Sequence, residues 1–76
     1  MTVEKFRDTM KTHPFRPFTI HMGDGRAFLV KHPEYVLQSP GGRTVIVCDE
    51  GEGYSVLDCL LMTELEVHAP TQSEAA

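Results

Sequence analysis

The sequence predicts a small α+β domain, mostly β, in which an N-terminal helix precedes about five short strands bent into a barrel. Three observations lead there. An apolar stripe at helical spacing occupies the first twelve residues, and the segments after it are short, alternating or β-branched runs separated by Gly, Pro and Asp. The third is length: 76 residues allow one small core, because a chain of this size buries only ~60 % of the surface it exposes when unfolded. Apolar residues at 41 %, charged residues at 24 % and a net charge of −4 are those of a globular chain and argue against global disorder.

The helix comes first. Thr2 is placed to cap it, and Glu4 lies in the first turn, where negative charge suits the helix dipole. Val3, Phe6 and Met10 form one apolar stripe, and His13 before Pro14 is biased away from helical geometry, so the helix should stop near Thr12. A helix this short does not persist alone in water, so its stripe must dock.

Phe18 to Met22 alternates apolar and polar, and Ala27 to Val30 follows across Gly23-Asp24-Gly25. Two registers are open. A two-residue Asp-Gly turn sets Ile20 opposite Leu29, whereas a three-residue loop with Gly25 in the left-handed position sets Ile20 opposite Phe28 and Phe18 opposite Val30. The second is preferred because it gathers four large apolar side chains on one face, and a one-residue slip would turn them to solvent.

His32-Pro33-Glu34 interrupts the second strand, which Tyr35-Val36-Leu37 resumes. Ser39-Pro40-Gly41-Gly42 is a turn, and Thr44 to Cys48 is a β-branched run of the kind covered on both faces. An acidic turn, Asp49 to Gly53, leads to a strand from Tyr54 to Leu57. Asp58-Cys59-Leu60-Leu61 suits one tight helical turn, and Thr63, Leu65 and Val67 alternate with Glu64 and Glu66 in a final strand. The expected core is Val3, Phe6, Phe18, Ile20, Phe28, Val30, Val45, Val47, Val56, Leu65 and Val67. Residues 1–67 form the single domain, and 68–76 are expected to be a disordered tail.

A helix first, and a tight turn between the last two strands, resembles SH3-like and above all Sm-like barrels. The blocks FRPFTI (Phe15 to Ile20), DGR (Asp24 to Arg26) and VKHPE (Val30 to Glu34) resemble a group of short, uncharacterised bacterial proteins sharing this pattern and length. The resemblance runs to about Val67 and implies no activity, ligand or catalytic residue. The Sm uridine-binding residues are not clearly matched, and fold likeness alone does not carry function.

Chemistry-bearing motifs are few. Cys48 ends a hydrophobic strand and Cys59 sits in DCLLM, so both read as small core residues, and the serines lack a nucleophile elbow. His21 and His32 fall on adjacent strands but well apart in the preferred register, and the turn Asp49 to Glu52 lacks the spacing of a calcium loop. Gly41-Gly42-Arg43-Thr44 could aim amides at a phosphate, yet a strand rather than a helix follows, which favours a plain turn. The expectation is no catalysis, no metal and no cofactor. No apolar run approaches the ~18 residues of a spanning helix, and the opening MTVEKFRDTM lacks the long apolar stretch of a signal peptide. With two cysteines and no CxxC pair, the expected home is the reducing cytoplasm, away from membranes.

Charge is the most informative feature. All seven Lys and Arg lie in the first 43 positions, which carry net +3, whereas positions 44 to 76 carry −7. Either this polarises the surface or the two halves interleave and average out. The reading is a small interaction module that associates with itself or with another protein. An Sm-like RNA-binding ring is the second reading, with nucleic acid the less favoured partner of an acidic chain. The residues expected at a subunit interface or an anion contact are Arg26, Lys31 and Arg43, facing Glu64 or Glu66 of a neighbouring copy.

Overall fold

The computed structural model describes residues 1–69. A helix, α1 (Val3–Met10), is followed by β1 (Phe18–Met22), β2 (Ala27–Val30), β3 (Val36–Gln38), β4 (Thr44–Cys48), β5 (Tyr54–Asp58) and β6 (Met62–Val67). The strands form two antiparallel three-stranded sheets, ordered β2-β1-β6 and β3-β4-β5. The expected five strands are thus six. Pro33 has no amide to give a ladder, so the chain turns through a short 3-10 segment at Pro33–Tyr35. What resumes at Val36 pairs with β4 in the second sheet instead of prolonging β2. The ladders do not close into one barrel.

The helix obeys its local signals. The Thr2 side chain accepts the Lys5 amide, and the helical bonds end at Lys11, two residues before His13. Its stripe docks where both sheets meet. Phe6 is fully buried and stands edge-on to Phe18 of β1, with ring centroids 6.1 Å apart. Val3 lies over the turn before β4, and its carbonyl accepts from Gln38 Nε2 at the end of β3. Gly42 in that turn has φ +91°, and a Cβ there would run into Val3 Cγ1. The glycine therefore serves both a left-handed turn and the close approach of the helix. The amide of Gly42 is taken by the Ser39 carbonyl at 2.8 Å, so this turn spends it on its own closure.

The preferred hairpin register is the one found: Phe18 faces Val30, Ile20 faces Phe28, and Gly25 has φ +98°. The core draws on both inner faces, with Phe18, Ile20, Val30 and Val45 fully buried. Two expected members do not belong to it. Val56 is 61 % and Val67 43 % exposed. The turn after Cys48 pairs Cys48 with Tyr54, which sets Leu57 beside Val45 and aims Leu57 inward and Val56 outward. Met22, Val36, Leu57, Cys59 and Met62 take the space instead. Strand β4 is likewise covered on one face only: Val45 and Val47 are buried, whereas Thr44 and Cys48 are exposed and Ile46 is half-buried. Of the expected tail, His68 is held by its amide on the Pro17 carbonyl at 2.9 Å; residues 70–76 lie outside the described residues.

Candidate functional site

The charged residues singled out from the sequence are scattered over several elements, and most meet partners in their own chain. Arg26, just beyond the β1–β2 loop, donates through Nε to Asp24 at 2.8 Å and lies over the Phe28 ring at 5.7 Å. Lys31, after β2, reaches Glu50 in the acidic turn at 3.0 Å. Arg43, leading into β4, forks onto Asp58 at the end of β5, with donor–acceptor distances of 3.0–3.2 Å. Glu66 on β6 accepts from His21 Nε2 on β1 at 3.0 Å. Glu64 sits on β6 opposite His21 and is exposed. Three of these contacts join the basic early half to the acidic late half, so at these points the two halves interleave.

The pairs leave an electrostatic trace. The Arg43 guanidinium, helped by the Leu60 amide, holds the Asp58 carboxyl below its ordinary 3.8, and Asp58 in turn raises Arg43. The His21 hydrogen bond holds Glu66 below 4.5, and the Arg26 backbone amide does the same for Asp24. Exposed pairs of this kind add little to stability, because solvent screens them. They set local geometry more than affinity.

The cysteines are both free, Cys48 exposed and Cys59 buried, and burial pushes the Cys59 thiol up, away from the thiolate that a nucleophile needs. Among the described residues no three His, Cys, Asp or Glu side chains converge as metal ligands, and no helix is long and apolar enough to cross a membrane.

The surface that stands out was missed in the sequence. Register places Leu37, Ile46 and Val56 side by side across β3, β4 and β5, all pointing away from the core. Leu37 is 64 % and Val56 61 % exposed, with Ile46 half-buried between them. Tyr54, 68 % exposed, continues the strip along β5, whereas Leu61 in the 3-10 turn that follows is exposed beside the β1–β2 hairpin, with Met22, Gly23 and Arg26. An apolar row of this length on a three-stranded sheet sets this face apart, because single exposed apolar side chains are ordinary and contiguous ones are not. Pairing parity explains the row: with Val45 and Val47 facing inward, the residues of β5 beside them, Leu57 and Ser55, fix Val56 on the outside, a register that no local pattern in the sequence supplies.

Comparison of the chain with protein-family models, with curated proteins and with solved structures finds no match.

Proposed function

We propose that this chain is a small non-catalytic interaction module that associates with copies of itself through the outer face of β3-β4-β5. The single observation behind this reading is the outward row Leu37–Ile46–Val56, together with Tyr54 beside it. A face of two five-residue strands and one of three measures at most roughly 14 by 17 Å. That is well below the ~800 Å² per partner of a standard interface. The contact must therefore reach beyond this face, and a weak association is expected. Arg26, Lys31 and Arg43 already have carboxylate partners. Meeting Glu64 or Glu66 of a neighbour would exchange one partner for another, so apolar area supplies the affinity and charge sets orientation.

On this reading the two sheets are the halves of one strongly bent SH3-like or Sm-like barrel. The proline turn at Pro33–Tyr35 carries the chain from one half to the other, and β6 returns beside β1. The RNA-binding alternative is weaker: carboxylates beside Arg26, Lys31 and Arg43 oppose a polyanion, whose binding needs cations free to meet phosphates.

Light scattering across the micromolar range, at about 0.1 to 0.5 M salt, tests the proposal. The expected result is an oligomer that survives the added salt and is shifted to monomer by Val56→Glu or Leu37→Glu with the melting temperature kept. A monomer throughout, or an oligomer indifferent to both substitutions, overturns it.

A further inference from the structure

We infer that two copies meet as an isologous two-fold dimer, their β3-β4-β5 faces stacked with β4 of one running antiparallel to β4 of the other, so that the acidic β4–β5 turn of each copy covers the Arg7–Arg43 end of its partner. The inference rests on the self-association proposed for this face and adds its orientation.

The register fixes what the face presents from end to end. Parity along β4 sets Thr44 and Cys48 on the same side as Ile46, and both are exposed. On β5, Tyr54 lies beside Cys48 and Asp58 beside Thr44, with Val56 between them. The face thus has an apolar middle, an aromatic end at Tyr54 and an ion-paired end at Asp58. Beyond Tyr54 it continues into a hollow of about 250 Å³ walled by Ala27, Leu29, Cys48 and Asp49, which carries the surface across to β2.

The two ends also differ in the charge left after pairing within the chain. At the β3–β4 turn Arg43 is matched by Asp58. Arg7 meets that turn only at the Pro40 carbonyl, 3.4 Å away, and has no acidic partner among the described residues. At the β4–β5 turn Glu50 is matched by Lys31, whereas Asp49 and Glu52 have no basic partner among the described residues. Asp49 accepts the amides of Gly51 and Gly53, which closes the turn without neutralising it. One end therefore keeps a cation and the other keeps carboxylates, held about 17 Å apart by a five-residue strand.

Copies stacked face to face about a two-fold axis in the plane of contact have two choices. An axis along the strands sets like end on like end, acidic turn against acidic turn and Cys48 against Cys48. An axis across the strands sets each acidic turn on the partner's Arg7–Arg43 end, while Ile46 still meets Ile46 and Val56 meets Val56. Both choices bury the same apolar middle, so charge decides between them: like ends repel in the first and opposite ends attract in the second. The second also gives the exposed Tyr54 a role. Its ring comes over the partner's Asp58 and Arg43, where the hydroxyl can donate to the carboxylate and the guanidinium can lie on the aromatic face. The hollow beside Tyr54 has room for the stem of the partner's Arg43, which extends the contact past the three strands.

Cross-linking tests the orientation. Cys59 is buried, so Cys48 is the reactive thiol of the native chain, and a bis-maleimide spanning the roughly 10 Å between facing sheets reads which positions meet. The native chain is mixed with a Thr44→Cys, Cys48→Ser variant, and light scattering follows the assembly of each. The expected assembly is a dimer, since an isologous contact closes at two. The expected product joins Cys48 of one copy to the thiol at position 44 of the other, in severalfold excess over either product of like with like. Arg7→Glu or Glu52→Arg alone should weaken association about two- to fivefold at low salt, and the two together should restore it. Preferential joining of Cys48 to Cys48, with the dimer intact, overturns the antiparallel arrangement and leaves self-association standing. So does an assembly larger than two, one that yields no cross-link, or one in which the two charge reversals do not compensate. A chain that stays monomeric overturns both this dimer and the reading on which it rests.

Discussion

The outer faces of the two sheets contrast sharply although their inner faces are alike. Both inner faces are apolar and share one core, sealed at one end by α1. Outside, the sheet β2-β1-β6 carries Ala27 and Leu29 on β2 but Thr19, His21, Glu64 and Glu66 across β1 and β6, tied by His21–Glu66 at 3.0 Å and by Thr19 Oγ1 to His68 Nε2 at 2.8 Å. The sheet β3-β4-β5 carries Leu37, Ile46, Val56 and Tyr54, with polar character confined to the Arg43–Asp58 end. Hydrogen-bonded side chains on the first face are satisfied where they stand, so covering them brings little gain. Apolar side chains on the second gain ~25 cal/mol for each Å² removed from water, so a partner is worth having there. Equal strand counts and similar cores do not make equivalent surfaces; the outward residues decide.

Removing what the two sheets share should have the largest effect. Phe6→Ala deletes a fully buried ring in contact with Phe18 and is expected to cost ~3–5 kcal/mol, enough to unfold a domain this small. Thermal melting followed by NMR checks it. Selective loosening of β1, β2 and β6 with β3 to β5 intact would show two independent units instead of one core.

A pair of glycines comes next, one in a hairpin turn of each sheet. Gly42→Ala combines a left-handed backbone with a collision against Val3, for an expected cost of about 2–4 kcal/mol. Gly25 has a similar φ but open space around it, so Gly25→Val should cost on the order of 1–2 kcal/mol. Equal losses in urea melts would mean that the helix does not press on the second sheet's turn.

The outer faces themselves can be exchanged in character. Thr19→Val leaves the His68 ring without its hydroxyl partner and should lower stability by about 0.5–1.5 kcal/mol. Val56→Thr, on the opposite sheet, should leave monomer stability within about 0.5 kcal/mol while weakening self-association. If Val56→Thr proves the more destabilising, then Val56 is packed within the monomer and the contrast between the faces fails.

The smallest effect concerns pH. Glu66 and Asp58 have folded-state values held below 4.5 and 3.8 by His21 and Arg43 respectively. A lowered carboxyl contributes stability that is present above the unfolded value and lost as pH falls through the folded one. Melting temperature should therefore drop as pH falls through and below the ordinary 4.5 and 3.8 of these carboxyls, with Glu66→Gln flattening part of that slope and Asp58→Asn another part. Both carboxylates are exposed at the surface, so each change is slight; a slope untouched by either substitution would detach these pairs from stability.

Much of this architecture is legible in local pattern. Thr2 with the Val3, Phe6, Met10 stripe marks the helix and its buried side. Alternation from Phe18 to Met22 with Gly25 marks the hairpin and its register. These depend on residues within one turn or one hairpin of each other, where spacing translates directly into a face. The outward row does not: Leu37, Ile46 and Val56 come from three strands, and each sits next to an equally apolar neighbour that could have faced inward in its place. Hydrophobicity cannot choose between Val56 and Leu57.

The sequence alone settled that a short helix precedes small strands, where most of them begin and end, that Gly25 takes a left-handed conformation, and that one core must serve the whole chain. Only the tertiary structure decided that β3 leaves the first sheet, that Leu57 displaces Val56 from the core, and that Gly42 lies beneath the helix. The physical reason is range. Spacing, capping and turn preferences act over a few residues and are written into the chain locally. The parity of a distant strand, and the room left for a Cβ beneath a helix, exist only once separate segments have packed against one another.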